Sequence, residues 1–281
     1  MRKVLLGLIG AGIQRSLAPA LQEEEARHHG IRVHYQLIDL DGSSRGVEAL
    51  PGLIEAARIM GFAGLNITHP CKQSVIPLLD SLSEEAQSIG AVNTVIRAGD
   101  RLIGHNTDGW GWSWGFRRAL PQADLSRVVL LGAGGAGSAI AYEVLRLGAT
   151  KLLILDPDAS RASALAERMN SIHEAGRASA IGDIAAAMQG ATGLIHATPT
   201  GMDKLPGLPL PASLLRPELW VSEIVYFPLE TELLKAARRI GCAAADGGHM
   251  SVGQALRGFE LFTGREADAA RMDAHFRRLV S

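Results

Sequence analysis

Six residues, Gly132-Ala133-Gly134-Gly135-Ala136-Gly137, leave the surrounding chain little choice of fold. They follow an apolar run, Arg127 to Leu131, that reads as a strand, and they open a stretch with helical spacing, Gly135 to Leu147, closed by Gly148. Gly132, Gly134 and Gly137 fill the three positions of G-x-G-x-x-G. In that pattern the first glycine makes a tight turn, the second lets backbone approach a pyrophosphate, and the third lets helix and strand pack closely. The helix N-terminus adds free N–H groups and partial positive charge. Glycine-rich turns also occur for packing alone, so the flanking elements and a following acid matter. That acid is Asp156, at the end of the next apolar run, Lys151 to Leu155, where a carboxylate accepts from an adenine-ribose hydroxyl. The segment therefore reads as a dinucleotide site. Asp156 and Asp158 would repel a 2′-phosphate, and the nearby cation, Arg161, lies on the expected helix from Ala159 to Met169, where an exposed arginine is usually solvated. NAD is expected over NADP.

Elsewhere strand-like and helix-like segments alternate. Val4 to Ile9, Ile31 to Leu40, Gly64 to Thr68, Ala91 to Arg97, Thr192 to Ala197 and Trp220 to Val225 read as strands. Leu17 to His29, Val47 to Met60, a segment starting at Pro70, and Met250 to Leu279 with a break at Thr263-Gly264 read as helices. Residues 199–217 carry five prolines and read as a loop with at most a short helix. Such alternation predicts an α/β fold with mainly parallel sheets and right-handed crossovers. A length of 281 residues suits two domains. Gly10-Ala11-Gly12 also follows a strand, but Arg15 occupies the third glycine's position and Asp39 is a weaker match for the acid, so this loop is expected to be a plain turn.

The formal charge of -1 argues against nucleic acid or an anionic membrane as main partner, since both need a basic footprint. No apolar run reaches the ~18 residues of a membrane span, and the N-terminus reads better as a first strand than as a signal peptide. Cys71 and Cys242 make no disulfide or metal pattern, so a reducing cytoplasm is the default and no metal is expected.

Polar clusters fall at strand ends, where α/β folds bind ligands. They are Asn66-Ile67-Thr68-His69-Pro70-Cys71-Lys72, Gly90-Ala91-Val92-Asn93-Thr94, Gly104-His105-Asn106-Thr107-Asp108-Gly109 and Asp246-Gly247-Gly248-His249-Met250-Ser251-Val252-Gly253-Gln254. With these in order, the chain resembles the shikimate/quinate dehydrogenase family over nearly its whole length. The matching pieces are the early loop bearing Ser16, N-I-T-x-P-x-K at 66–72, G-A-V-N-T at 90–94, N-T-D at 106–108, the glycine loop, A-T-P-x-G-M at 197–202 and G-x-x-M-x-x-x-Q at 247–254. D-x-D-x-S-R at 156–161 and E-T-E-L-L-K-A-A-R at 230–238 are closest to the NAD-linked quinate/shikimate branch; the NADP-linked branch usually has Asn-Arg-Thr in place of Asp156-Pro157-Asp158.

The resemblance implies Lys72 and Asp108 as the catalytic pair. Oxidising a secondary alcohol sends hydride to a nicotinamide and requires removal of the hydroxyl proton. A lysine can take that proton if partial burial lowers its pKa, although a neighbouring aspartate pushes the other way. The plain alternatives are an exposed helix lysine and a helix N-cap aspartate. The resemblance further implies Ser16, Asn66, Thr68, Asn93, Tyr226 and Gln254 around the substrate. It implies Gly132 to Gly137, Asp156, Asp158, Arg161, Thr198, Met202, Val225 and Gly247 around the cofactor. The implied substrate domain is residues 1–107, completed by C-terminal helices at 246–281. A Rossmann-type NAD domain takes residues 108–245, with the site in the interdomain cleft and a monomer or homodimer as the assembly.

The early loop departs from the family pattern, in which two hydroxyl residues at i and i+2 hold the substrate carboxylate. Ser16 is present, but Ala18 replaces the second. The missing charge-assisted hydrogen bond is worth about 1.5–3 kcal/mol, or ~10- to 150-fold in binding. Arg15 can substitute for it or be a surface residue. Two other readings stay open: a dehydrogenase of another ring acid, such as an aminoshikimate-like compound, and a non-catalytic NAD-sensing paralogue. Cys71 is expected to be a packed thiol, His196 to be structural, and Trp110, Trp112 and Trp114 to pack at an interdomain hinge.

Overall fold

The computed structural model describes residues 2–280. In chain order it contains β1 (Arg2–Gly10), α1 (Ala18–His28), β2 (Ile31–Asp39), α2 (Leu50–Met60), β3 (Gly64–Ile67), β4 (Ser81–Leu82), α3 (Glu84–Ile89), β5 (Thr94–Ala98) and β6 (Arg101–His105). There follow α4 (Asp108–Ala119), β7 (Arg127–Leu131), α5 (Gly135–Arg146), β8 (Lys151–Leu155), α6 (Ala159–Ile172), β9 (Ala178–Ala180), α7 (Ile184–Met188), β10 (Gly193–His196), β11 (Trp220–Glu223), α8 (Glu232–Ile240) and β12 (Ala243–Ala245). The chain closes with α9 (Gly247–Thr263) and α10 (Ala269–Val280). It divides into two compact units, Met1–Thr107 with Val252–Ser281, and Asp108–Ser251; the second boundary falls inside α9.

The first unit holds a sheet in the order β2-β1-β3-β5-β6-β4. β1 lies between two parallel neighbours, so its residues face helices on both sides and the strand is apolar almost throughout. β5 runs antiparallel to both β3 and β6. Its reversal follows from the two-residue turn Gly99-Asp100 between paired Ala98 and Arg101, with Gly99 at φ +64°; a link that short can join only antiparallel strands. One face of the sheet packs Ile54, Ala57, Leu65, Ile67, Cys71 and Val95 together. The other packs Leu6, Leu8, Ala26 and Tyr35 against Phe259 and Phe262 of α9.

The second unit's sheet is fully parallel, in the order β12-β11-β10-β7-β8-β9. The order reverses between β7 and β10, so the loops after these two strands depart in opposite directions. Val128, Leu130, Ile140, Val144 and Leu152 form the core on one face, and Val129, Leu153, Leu194, Val221 and Leu234 are likewise buried.

Several expectations need correction. The helix expected from Pro70 is a series of turns ending in a short 3-10 segment, Ile76–Leu78. Pro77 supplies no N–H and disfavours helix at the residue before it. The helix expected from Val47 starts at Leu50, where Pro51 occupies its first turn, and a 3-10 turn precedes it. The strand expected from Ala91 starts at Thr94. Trp112 belongs to the second unit's core: it stacks on Phe116 at 4.7 Å and donates its indole N–H to Ser222 Oγ at 3.0 Å. Trp114 lies under the Arg118 guanidinium at 4.8 Å. β4, β6, β9, β12, α3, α7 and α8 were not anticipated; most are too short to show a period.

An unanticipated ion pair ties α1 to α10. Glu25 is 1% exposed and accepts from Arg271 Nε at 2.8 Å, Arg271 Nη2 at 2.7 Å and the Asp268 N–H at 2.9 Å, with His29 Nε2 at 3.0 Å. Burial by itself would raise this carboxyl, but the Arg271 guanidinium, the Asp268 N–H and His29 hold it below its ordinary 4.5. A carboxyl lowered by folding stabilises the fold above its ordinary value and loses that contribution as pH falls through the lowered one. Arg271→Ala strands the buried charge and should cost about 3 kcal/mol at pH 7. In thermal melts from pH 7 to pH 3, the gap between wild type and variant should shrink as the pH falls below that ordinary value.

Candidate active site

The glycine loop sits at the reversal of strand order in the second unit. Gly132 has φ +103°, and a Cβ there would lie 2.5 Å from the Ala197 carbonyl oxygen, so the loops after β7 and β10 touch. A Cβ on Gly137 would lie 2.0 Å from the Gly132 carbonyl oxygen, which brings α5 against the end of β7. Gly134, the N-cap of α5, differs: a Cβ there would meet nothing within 4 Å. The turn glycine and the packing glycine thus have internal causes, while the middle one leaves open space before the α5 N-terminus. That space, with Gly135, Ala136 and Gly137 in the first helical turn, fits a dinucleotide's pyrophosphate.

Asp156 Oδ2 accepts from the Ala133 N–H at 2.8 Å, and its Oδ1 from the Asp158 N–H at 2.9 Å. It therefore fastens the loop after β7 to the end of β8, with a further lone pair on each oxygen. Asp158 caps α6, accepting from the Ser160 N–H and hydroxyl, with Arg161 Nε 3.6 Å away. The Ser160 hydroxyl and N–H hold the Asp158 carboxyl below its ordinary range, so it is ionised at neutral pH. Thr198 meets His196 at its hydroxyl, and Met202 is exposed in the loop beyond. Val225 is buried; Gly247 presses on its backbone, since a Cβ there would come within 2.4 Å of the Val225 carbonyl oxygen. Tyr226 packs against Phe227, and burial pushes its phenol above the ordinary value.

The loop after β1 repeats the pattern in closed form. Asp39 at the end of β2 accepts from the Gly12 N–H at 2.9 Å, the Ile13 N–H at 3.2 Å and Gln14 Nε2 at 2.9 Å. The Gln14 amide, joined by these backbone groups, holds the carboxyl below its ordinary range. A Cβ on Gly10 would lie 2.2 Å from Thr68 Cγ2. Here the carboxylate takes the loop's N–H groups and side chains fill its space.

The first unit gathers a polar row on one face of its sheet. Asn66 pairs with Thr94, and Thr94 with His105, across β3, β5 and β6. The Tyr35 hydroxyl donates to Asn66 Oδ1 at 2.7 Å, and Asn66 Nδ2 donates to Thr94 Oγ1 at 3.0 Å and to the Asn93 carbonyl at 3.3 Å. Asn93 Oδ1 accepts from the Thr107 N–H at 2.8 Å, while its Nδ2 donates to Thr107 Oγ1 at 3.0 Å. Burial pushes the Tyr35 phenol far above its usual range, so it stays a donor. The two asparagines expected to face a ligand are thus also struts of their own unit. Tyr35 has no mark in the sequence beyond being a polar residue at an inward position of an alternating strand, and Thr94 and Thr107 stand there only as members of the clusters at 90–94 and 104–109, with no role of their own.

Lys72 is half-buried in the turn after β3, and its carbonyl accepts from the Val92 N–H at 2.8 Å. Asp108 is the buried first residue of α4 and directly follows the clamped Thr107. The dipeptide Val92-Asn93 therefore fastens the segments that carry both. Ser16 Oγ accepts from the Ala18 N–H at 3.3 Å, Thr68 is half-buried beside the end of β1, and Gln254 is half-buried on α9. Cys71 is fully buried, and burial pushes its thiol up, which suits a packed, unreactive residue.

The architecture is that of a two-domain α/β oxidoreductase with a Rossmann-type dinucleotide unit. Residues 8–95 match the shikimate dehydrogenase substrate binding domain. The shikimate dehydrogenase (NADP(+)) of Streptomyces avermitilis is 54% identical over 278 residues, covering 98% of this chain and 96% of the relative. The quinate/shikimate dehydrogenase (NAD(+)) of Corynebacterium glutamicum strain R is 46% identical, covering 97% and 98%. The structure of quinate dehydrogenase from Corynebacterium glutamicum in complex with NAD superposes with a TM-score of 0.93 at 44% identity, covering 99% of this chain and all of that one. The chain belongs to the shikimate/quinate dehydrogenase family.

Gly134 and Gly137 separate ligand from fold. Gly137→Ala forces backbone apart and should cost about 1–3 kcal/mol. Gly134→Ala has φ -77° and open space, so it should keep the wild-type melting temperature while losing NAD affinity by calorimetric titration.

Proposed function

We propose that this protein is an NAD-linked dehydrogenase that oxidises a ring hydroxyl of shikimate or quinate, and reduces the corresponding ketone in reverse. The observation that carries the reading is the shared anchorage of Lys72 and of the Thr107-Asp108 step on Val92-Asn93. A general base and an acid that must meet one hydroxyl need a common fixed support.

When bound, the nicotinamide supplies the hydride acceptor. Lys72 Nζ takes the proton from the reacting hydroxyl, and the Asp108 carboxylate accepts a hydrogen bond from the same hydroxyl or from the ammonium. Asn66 Oδ1, Asn93, Thr68 and Gln254 present acceptors and donors to the remaining hydroxyls, which suits a polyol. Ser16 and Tyr226 donate to the ring carboxylate. Gly132 to Gly137 receive the pyrophosphate, and Thr198, Met202, Val225 and Gly247 border the nicotinamide half.

The NAD preference rests on Asp156 and Asp158. Both present negative charge where a 2′-phosphate would need a cation, and the nearest one, Arg161, is already paired with Asp158. The relative named for NADP is 54% identical and the one named for NAD 46%, so relatives of both kinds occur and coenzyme choice in this chain is read from these side chains.

Ala18 favours a second reading in which the physiological acid differs around its carboxylate. Ala18 opens α1 and offers only its backbone N–H, already given to Ser16.

Initial rates with shikimate and quinate should show NADH formation well above NADPH formation. Lys72→Ala should lower kcat by about 10²- to 10⁴-fold. Equal turnover in that variant, or no turnover with any hydroxylated ring acid, would remove the dehydrogenase reading. Ala18→Ser should lower the KM for shikimate by about tenfold at unchanged kcat. A KM that does not move would show that the second hydroxyl is not needed here.

A further inference from the structure

The core of the second unit contains an acid-base pair with no part in the reaction as described. His196 ends β10, Glu223 ends β11, and the two are register partners in the parallel ladder. Both side chains are 0% exposed. Burying such a pair is costly, and apolar residues of similar volume would serve stability as well or better. What distinguishes this pair is where its remaining hydrogen bonds go.

His196 Nδ1 donates to Glu223 Oε1 at 2.8 Å and Oε2 at 3.0 Å. Its Nε2 meets Thr198 Oγ1 at 2.5 Å, and the same hydroxyl accepts from the Thr200 N–H at 3.3 Å. Glu223 Oε1 also accepts from the Ile224 N–H at 2.8 Å and the Val225 N–H at 3.0 Å. Its Oε2 accepts from Thr231 Oγ1 at 3.0 Å, and Thr231 caps α8. A continuous chain of hydrogen bonds thus runs from the loop after β10, through the buried pair, to the segment after β11 and the start of α8. The far side of the 224–225 segment is closed by Gly247, which leaves no room for a Cβ.

We propose that His196 and Glu223 are positioning residues that set the spacing between Thr198 and Val225, the two walls of the nicotinamide half of the coenzyme site. The inference rests on the dehydrogenase reading above. The adenine half is served by other residues, the glycine loop and Asp156, whose hydrogen bonds run to Leu155, Ala133 and Asp158 and not to the pair. Loss of the pair should therefore loosen the nicotinamide and leave the rest of the coenzyme held.

His196→Gln keeps a donor toward Glu223 and gives up the second contact to Thr198; Glu223→Gln keeps size and removes the charge. Neither empties the core, and each serves if the other does not fold. Titration calorimetry with NAD and with ADP-ribose, which lacks the nicotinamide, reads the effect directly. At least a fivefold loss of NAD affinity, with ADP-ribose within twofold of wild type, is expected. The KM for NAD should rise and kcat fall, with the KM for the ring acid unchanged. Parallel weakening of NAD and ADP-ribose would reduce the pair to a structural role and overturn the inference, as would no change in either. Wild-type protein that binds neither compound and turns over no ring acid would remove the dehydrogenase reading, and this inference with it.

Discussion

A parallel strand that ends leaves backbone N–H groups with no ladder partner, and the loops beyond must find acceptors for them. Three carboxylates perform this work here. Asp39 ends β2, Asp156 follows β8 and Glu223 ends β11, and each accepts from at least two backbone N–H groups of the loops around it. These ties place the loops after β1, β7, β8 and β11 at the carboxyl edges of the two sheets. They also explain why so many acidic residues next to candidate ligand positions are engaged by the protein itself.

The two glycine loops show how one device yields opposite results. After β1, the carboxylate takes consecutive N–H groups and the neighbouring side chains fill the turn. After β7, Asp156 takes a single loop N–H and the space before Gly134 stays open. A short polar side chain from the adjacent strand end thus decides whether the N–H groups of a glycine turn are taken up inside the fold or left open. The glycine spacing records the same distinction: Arg15 stands in the first loop where Gly137 stands in the second.

The second unit's central strands and its glycine loop were legible because continuous apolar runs and obligatory glycines leave direct marks. β7 and β8 match their expected bounds, Arg127 to Leu131 and Lys151 to Leu155. The segment after Pro70 is not legible in the same way, because proline at a helix start looks the same as proline in a turn and only Pro77 separates the two. The place of Trp112 is not legible either, because a three-tryptophan alternation says nothing about which core receives it. The candidate residues stood out as polar clusters at strand ends. Their supports did not: Tyr35 reaches Asn66 from 31 positions away, and Glu223 reaches His196 from 27. Such pairings depend on strand order, which local sequence does not state.

The first unit is discontinuous, and its last part is the helical tail. Phe259 and Phe262, which cover one face of its sheet, lie beyond the whole of the second unit in the chain. During synthesis, therefore, the unit begun first cannot close its core until the tail has emerged, whereas residues 108–251 are complete by then. For that interval the face bearing Leu6, Leu8 and Tyr35 lacks its cover. The fold thus places its period of greatest aggregation risk in the half that is translated first and finished last.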